Sequence, residues 1–190
     1  MWILQKVSAA NSTGKCRLST LEEMEGTVHS CVAYSSDGVQ SFATISGSLW
    51  RDERAVWAHL EPVIKDVLDN LNPRPTTLHV MIDGPVTQYR SKNNFNLLST
   101  IPFLSGFKQV TWNFSEKSHR KGAPDRVGGA VKRIADSSVN MGVDIQTPEE
   151  FYRFLKERQT SSKIRFSGCV RRTSGSMMKL SLKLCPWQSM

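Results

Sequence analysis

The chain has 190 residues, a formal net charge of +8 and 39% hydrophobic residues. That length fits one domain of about 100 to 200 residues with ragged ends. Four cysteines without Cys-x-x-Cys spacing argue against a zinc site and are typical of reduced thiols in a cytosolic or nuclear protein. The N-terminal apolar run is too short for a signal sequence or a membrane span, so we expect a chain that is not secreted and has no membrane partner.

Positive charge is concentrated in two segments. Residues 83–133 contain nine lysines and arginines against three acids, and residues 161–190 contain six more cations and no acid. The rest of the chain is net acidic. A surplus confined to particular segments favours a polyanionic partner, and DNA is the partner we expect. The alternative is a set of solvated surface cations without a common ligand.

Residues 1–26 mix Ser, Thr, Gly and charges without a clear period, so we treat them as a poorly patterned N-terminal segment. A short helix over residues 18–24 is the only element predicted there. The main domain is expected over residues 27–160. It begins with an apolar run, the turn signal Asp37-Gly38 and a returning strand over residues 39–46, which together predict a β-hairpin.

A helix follows from Arg51 or Asp52 to Leu71, because apolar residues recur there at spacings of three and four. Pro62 lies inside this pattern and predicts a kink or a break. Residues 77–82 form a continuous apolar run, which is typical of a strand buried on both faces.

The second half continues the alternation of helix and strand. We predict a helix over residues 89–104 that is interrupted near Pro102, and a strand over residues 107–114. A helix over residues 127–139 contains Gly128 and Gly129, which suggest a close approach to its backbone. The last helix starts at Thr147 with Pro148 in its first turn.

The tail over residues 161–190 is a basic interaction tail, a short final strand or non-native coding sequence. The order of elements is hairpin, helix, strand, helix, strand, helix, helix. This alternation favours an α/β domain with a mixed sheet.

Two carboxylates stand at the ends of predicted strands. Asp83 follows a buried strand, at the edge where α/β domains usually bind ligands, and Asp125 follows the next strand and begins a helix. Metal-dependent phosphoryl transfer needs converging carboxylates that hold two divalent ions about 3.5 to 4 Å apart. Asp83 and Asp125 are therefore candidate catalytic and metal-ligating residues. The structural alternative is a turn residue for Asp83 and a helix N-cap for Asp125.

Between these acids lie a histidine, cations and aromatic residues. His119 is a candidate catalytic residue, as a metal ligand or proton shuttle, or else an exposed loop histidine. Tyr89, Trp112 and Phe114 would stack on bases or serve the core. The cations that we expect to contact nucleic acid are Arg90, Lys92, Lys117, Lys121, Lys132 and Arg133.

The central segment also contains long motifs. They are Ile82-Asp83-Gly84-Pro85-Val86-Thr87-Gln88-Tyr89-Arg90, Thr111-Trp112-Asn113-Phe114, Ser118-His119-Arg120-Lys121-Gly122-Ala123-Pro124-Asp125 and Val127-Gly128-Gly129-Ala130-Val131-Lys132-Arg133. Over about residues 28 to 160 the chain resembles transposase-like proteins of animal genomes. The resemblance implies an RNase H-like mixed sheet flanked by helices, with three acids that bind Mg²⁺ or Mn²⁺. It makes Asp83 the second acid and Asp125 the third, with His119 near it.

The chain departs from that pattern in three places, of which one is the tail after about Phe166, which does not resemble the family. Relatives begin with a strand ending in Asp-Phe-x-Glu-Asn, and no such stretch precedes Thr27, so we expect a sheet that lacks its usual first strand and one metal ligand. Arg120 and Arg126 replace glycines of the pattern, where a long side chain would block close backbone approach or fill the metal pocket. The resemblance therefore implies a truncated and degenerate copy with residual nucleic-acid binding and no catalysis.

Two other functions stay open. One is an active metal-dependent nuclease or strand transferase, whose first acid comes from a partner chain or from Glu22, Glu23 or Glu25. The other is a protein-interaction domain that does not bind nucleic acid.

Overall fold

A computed structural model of the chain describes residues 1–9, 26–48, 52–82, 89–114, 122–143, 145–158 and 163–168. Within these ranges the chain forms a six-stranded mixed sheet with helices on both faces. The predicted α/β class is therefore confirmed. The helix predicted over residues 18–24 lies outside the described residues.

The sheet has the strand order β5-β4-β1-β2-β3-β6. The strands are β1 (Trp2–Ala9), β2 (Thr27–Ser35), β3 (Gly38–Ser46), β4 (Thr77–Ile82), β5 (Gln109–Phe114) and β6 (Ile164–Ser167). β2 pairs antiparallel with both β1 and β3. β4 runs parallel to β1, β5 parallel to β4, and β6 parallel to β3.

The expectation that the sheet lacks its first strand is wrong. β1 lies in the centre of the sheet, between β2 and β4, and comes from the segment that we treated as poorly patterned. Its sequence, WILQKVSA, does not alternate regularly between apolar and polar residues, so the period-two signal of a strand is weak. The strand is specified by backbone pairing with neighbours on both sides, which no local pattern reveals.

The predicted hairpin is confirmed. Ser35 and Gly38 are partners at its closed end, so Ser36 and Asp37 form a two-residue loop. Gly38 has φ 118°, a conformation that L side chains rarely adopt, and no atom lies within 4 Å of where its Cβ would stand. Backbone freedom, and not lack of space, is therefore the reason for glycine at this position.

Helices connect the strands and cover the sheet. They are α1 (Glu53–Asn70), α2 (Lys92–Leu98), α3 (Ile101–Leu104), α4 (Ala123–Asn140) and α5 (Pro148–Glu157). α1 begins at the cap Asp52, whose carboxylate accepts from the Ala55 amide at 2.9 Å, and it continues through Pro62 without the break that we considered. The predicted interruption of the next helix is found at Ser99 and Thr100, just before Pro102.

Two apolar clusters lie on opposite faces of the sheet. Alternate residues of β2 belong to different clusters. Cys31 and Ala33 pack with α1, whereas Val28 and Val32 pack with α4 and α5. The partly buried apolar residues of α2 and α3 join the α1 side. The described chain is therefore a three-layer arrangement, with a helical layer on each side of the sheet.

The C-terminal tail contributes to this sheet. β6 lies in the segment that we assigned to a basic tail, so a short final strand is the alternative that the structure supports for residues 164–167. Ile164 and Phe166 are buried on the α4 side. Arg165 alternates with them, and its Nη1 is 2.6 Å from Asp66 Oδ2 on α1. The remaining tail residues, 169–190, lie outside the described residues.

Candidate metal and nucleic-acid site

The loops that carry the predicted acids leave the sheet at one edge. β4 ends at Ile82, directly before Asp83, and β5 ends at Phe114. Ile82 and Phe114 are register partners in parallel strands, so the chain leaves both strands at the same level. Asp83 and His119 themselves lie outside the described residues, as do Lys117 and Lys121. Their predicted roles as ligand, proton shuttle and phosphate contacts therefore stay predictions.

Asp125 lies in the first turn of α4, as predicted for a residue that begins a helix. Its side chain is half-buried, and its Oδ2 accepts a hydrogen bond from the Gly122 amide at 2.9 Å. Amides at a helix N-terminus have no partner within the helix, so a carboxylate there stabilises the start of α4. Asp125 is thus the third residue of α4 and not its N-cap, so the structural alternative is wrong in position, and metal ligation by this residue stays a prediction.

β1 is the strand next to β4, and it brings no acid to this edge. Gln5 is level with Ile82, and Trp2–Ala9 contains neither Asp nor Glu. Among the described residues no group of three or more His, Cys, Asp or Glu side chains is arranged to hold a metal ion. The described donor set therefore does not fit a complete two-metal site for Mg²⁺ or Mn²⁺.

The predicted nucleic-acid-binding cations that the structure describes fall into two groups. Arg90 and Lys92 are exposed near the end of β5, and the Arg90 guanidinium lies 4.4 Å from the centre of the Phe114 ring. Lys132 and Arg133 lie on α4, which packs on the other face of the sheet. Arg133 is exposed and Lys132 is half-buried. These four cations therefore do not lie on one flat surface.

The aromatic residues near this edge belong to the core. Trp112 stacks on Trp57 with ring centroids 5.5 Å apart, and Tyr89 is fully buried. Asn94, also fully buried, links Trp57 to Tyr89. Its Oδ1 accepts a hydrogen bond from Trp57 Nε1 at 2.9 Å, and its Nδ2 donates to the Tyr89 carbonyl at 2.7 Å. Tyr89 is therefore enclosed in the core, and the half-buried Trp112 packs against that core. No role was predicted for Asn94, and because its neighbours in the chain are Asn93 and Phe95, no local apolar pattern marks it as a buried hydrogen-bonding residue.

Arg126 and Gly129 lie on α4, where the sequence predicted a filled metal pocket and a close approach to the helix backbone. Arg126 has an exposed side chain, so it does not fill a pocket inside the protein. A Cβ on Gly129 would meet only Nη1 of Arg133 within 4 Å, at 3.6 Å. Among the described residues this side-chain atom alone comes within that distance, and the close approach of the helix backbone to a partner stays a prediction. Arg120 lies outside the described residues.

A buried histidine pair was not among the predicted sites. His29 and His59 have ring centroids 5.2 Å apart. Thr44 Oγ1 lies 2.8 Å from Nδ1 of His59, and Thr27 Oγ1 lies 3.4 Å from its Nε2. Burial lowers the pKa of His59 to about 4. Burial and then the neighbouring His59 lower the pKa of His29 well below its ordinary value, so both rings are neutral at pH 7.

These observations define a three-layer α/β domain with a central strand that carries no acid and with exposed cations on both helical layers. Residues 21–180 match a family model described as a domain of unknown function, DUF8701, and the chain belongs to that family. No curated protein and no solved structure matches the chain. Among the described residues, no helix has the length and apolar character needed to cross a membrane.

Proposed function

We propose that the chain is a transposable-element-derived, RNase H-like domain that binds nucleic acid and does not cut it. The sheet order supports this proposal. Three consecutive antiparallel strands are followed by β4 parallel to β1 and β5 parallel to β4, which is the arrangement of an RNase H-like sheet. Asp83 and Asp125 follow β4 and β5 in the chain, where the transposase resemblance expects the second and third acids.

The observation that carries the inactive assignment is the acid-free β1. In the transposase-like pattern, the first acid stands at the end of the first strand. Here β1 is the strand beside β4, and its Gln5 is level with Ile82. β1 also precedes the matched family region, which begins at residue 21. A two-metal site stabilises both the attacking and the leaving oxygen, so loss of a ligand removes catalysis before it removes binding.

Nucleic-acid binding is supported by charge. The described cations Arg90, Lys92, Arg126 and Arg133 are exposed, and the formal charge of the chain is +8. Contacts from lysine and arginine to phosphates release counterions, and such binding weakens steeply as salt rises.

The experiment measures retention of the purified chain on DNA as a function of salt, and then cleavage of the same DNA with Mn²⁺. We expect binding at low salt that falls with rising salt, and no cleavage. Cleavage that Asp83→Ala abolishes would overturn the inactive assignment in favour of an active nuclease with its first acid supplied from elsewhere.

A second candidate function is protein interaction without nucleic acid. The observation that favours it is a group of exposed apolar side chains on α2 and α3: Phe95 is 47% exposed, Phe103 44% and Leu104 56%. Surface apolar groups of this kind mark contact sites when they are contiguous. Absence of DNA binding even at low salt would favour this function over the first.

A further inference from the structure

A basic groove lies between α4 and the start of β6, on the helical layer that carries Arg133. It has a volume of about 490 Å³. Ala130, Ile134 and Ile164 form its apolar floor, and Arg133, Arg158 and Lys163 supply its charge. Within the part of the chain that the structure describes, no acidic residue lines it.

The cations of this groove are held by different means. Arg133 lies back along its own helix, with its Nη1 3.6 Å from where a Cβ on Gly129 would stand. The Arg158 guanidinium stacks over the Phe154 ring at 4.0 Å, and its Nη2 is 3.9 Å from Met141 Sδ. Lys163 is exposed directly before β6. Among the described residues neither Arg133 nor Lys163 has a carboxylate within salt-bridge distance.

Three cations in one groove attract an anion, and the apolar floor suits an anion that also carries apolar surface. A nucleotide meets both requirements, because its phosphate can contact the cations while its sugar and base cover the floor. A base is available for such a contact when the strand is unpaired.

We propose that this groove binds the phosphodiester backbone of single-stranded nucleic acid, with one nucleotide lying over Ala130, Ile134 and Ile164. The proposal rests on the proposed nucleic-acid-binding function and locates it on α4, the end of α5 and β6. Arg133 is two turns beyond Asp125, about 12 Å along the helix. The groove therefore does not depend on a complete metal site, and binding through it outlasts the loss of catalysis.

The test measures the affinity of the full chain for a fluorescent single-stranded DNA oligonucleotide by anisotropy, over a range of salt concentrations. The groove variant carries Arg133→Gln and Lys163→Gln. Its control carries Arg54→Gln and Lys65→Gln, two exposed residues of α1 on the opposite face, and loses the same charge. Circular dichroism checks that both variants are folded, and Arg133→Lys provides a milder change that keeps the charge.

We expect the groove variant to bind at least about tenfold more weakly at low salt, with a salt slope reduced by roughly 0.7 for each phosphate that the variant no longer neutralises. The control and Arg133→Lys should stay close to the wild type. Wild-type affinity in the groove variant would overturn the groove and leave the proposed function standing, whereas no DNA binding by the wild type would overturn both.

Discussion

At the scale of single residues, the buried pair His29 and His59 ties stability to pH. His29 is fully buried, and neither of its ring nitrogens has a hydrogen-bond partner among the described residues. His59 is held between Thr27 and Thr44. Protonating either ring in the folded protein would place a charge in the protein interior, where it is poorly solvated.

We expect the free energy of unfolding to fall on acidification. The pKa of His59 is about 4 in the folded protein against 6.5 ordinarily, so the unfolded chain takes up the proton first as pH falls. The stability present above pH 6.5 is lost as pH falls from 6.5 to about 4. A shift of this size corresponds to about 3 kcal/mol.

Urea unfolding at several pH values measures this loss in the wild type and in His59→Gln, which cannot take up a proton in this range. The variant should lose markedly less stability between neutral and acidic pH. Leu60→Ala is the matched control, since it removes a fully buried side chain of the same helix and leaves His59 in place, so it should lower stability while keeping the wild-type slope. Equal slopes in wild type and His59→Gln would contradict the assignment.

At the scale of elements, α5 begins at a capping motif that is visible in the sequence and ends beside the basic groove. Thr147 Oγ1 accepts from the Glu150 amide at 3.2 Å, and Glu150 Oε2 accepts from the Thr147 amide at 3.1 Å. This capping box starts a helix that buries Phe151 and Leu155 and ends next to Arg158 of the groove.

Thr147→Ala should therefore destabilise the protein by about 1 kcal/mol, because it leaves a helix N-terminal amide without its acceptor. Thermal or chemical unfolding measures the change. Thr76→Ala is a suitable control, since Thr76 is exposed and lies outside the helices and strands. A change in the control as large as in Thr147→Ala would count against the cap.

At the scale of the whole molecule, β1 joins the two halves of the sheet. Without it, the β2–β3 hairpin with β6 and the parallel pair of β4 and β5 would have no strand between them. Ile3, on this strand, is fully buried in the cluster that includes α1.

Ile3→Ala should cost roughly 2 to 5 kcal/mol, through reduced apolar burial and the cavity left behind. That is a large part of the typical stability of about 5 to 15 kcal/mol for a domain. Chemical denaturation compares this variant with Val39→Ala, where the side chain is 62% exposed and little change is expected. If Ile3→Ala unfolds at the wild-type midpoint, β1 does not belong to the core.

The sequence predicted elements whose signals are local. Asp37-Gly38 marked the hairpin, the apolar spacing around Val63 and Val67 marked α1, and Thr147-Pro148 marked the start of α5. It failed for β1, because a short strand without regular alternation looks like irregular chain until its neighbours are known. For β4 the expectation of burial on both faces held only for alternate residues, since Leu78, Val80 and Ile82 are buried and those between them are half-buried.

For the candidate site, the sequence alone determined the charge distribution, the presence of Asp83 and Asp125 after two strands and the absence of an acid in residues 1–9. Only the tertiary structure decided that those acid-free residues form the strand beside β4, and that Arg133, Arg158 and Lys163 share one groove. The reason is physical. Composition and helix or strand period act over a few residues, whereas strand pairing and the lining of a groove depend on contacts between segments far apart in the chain.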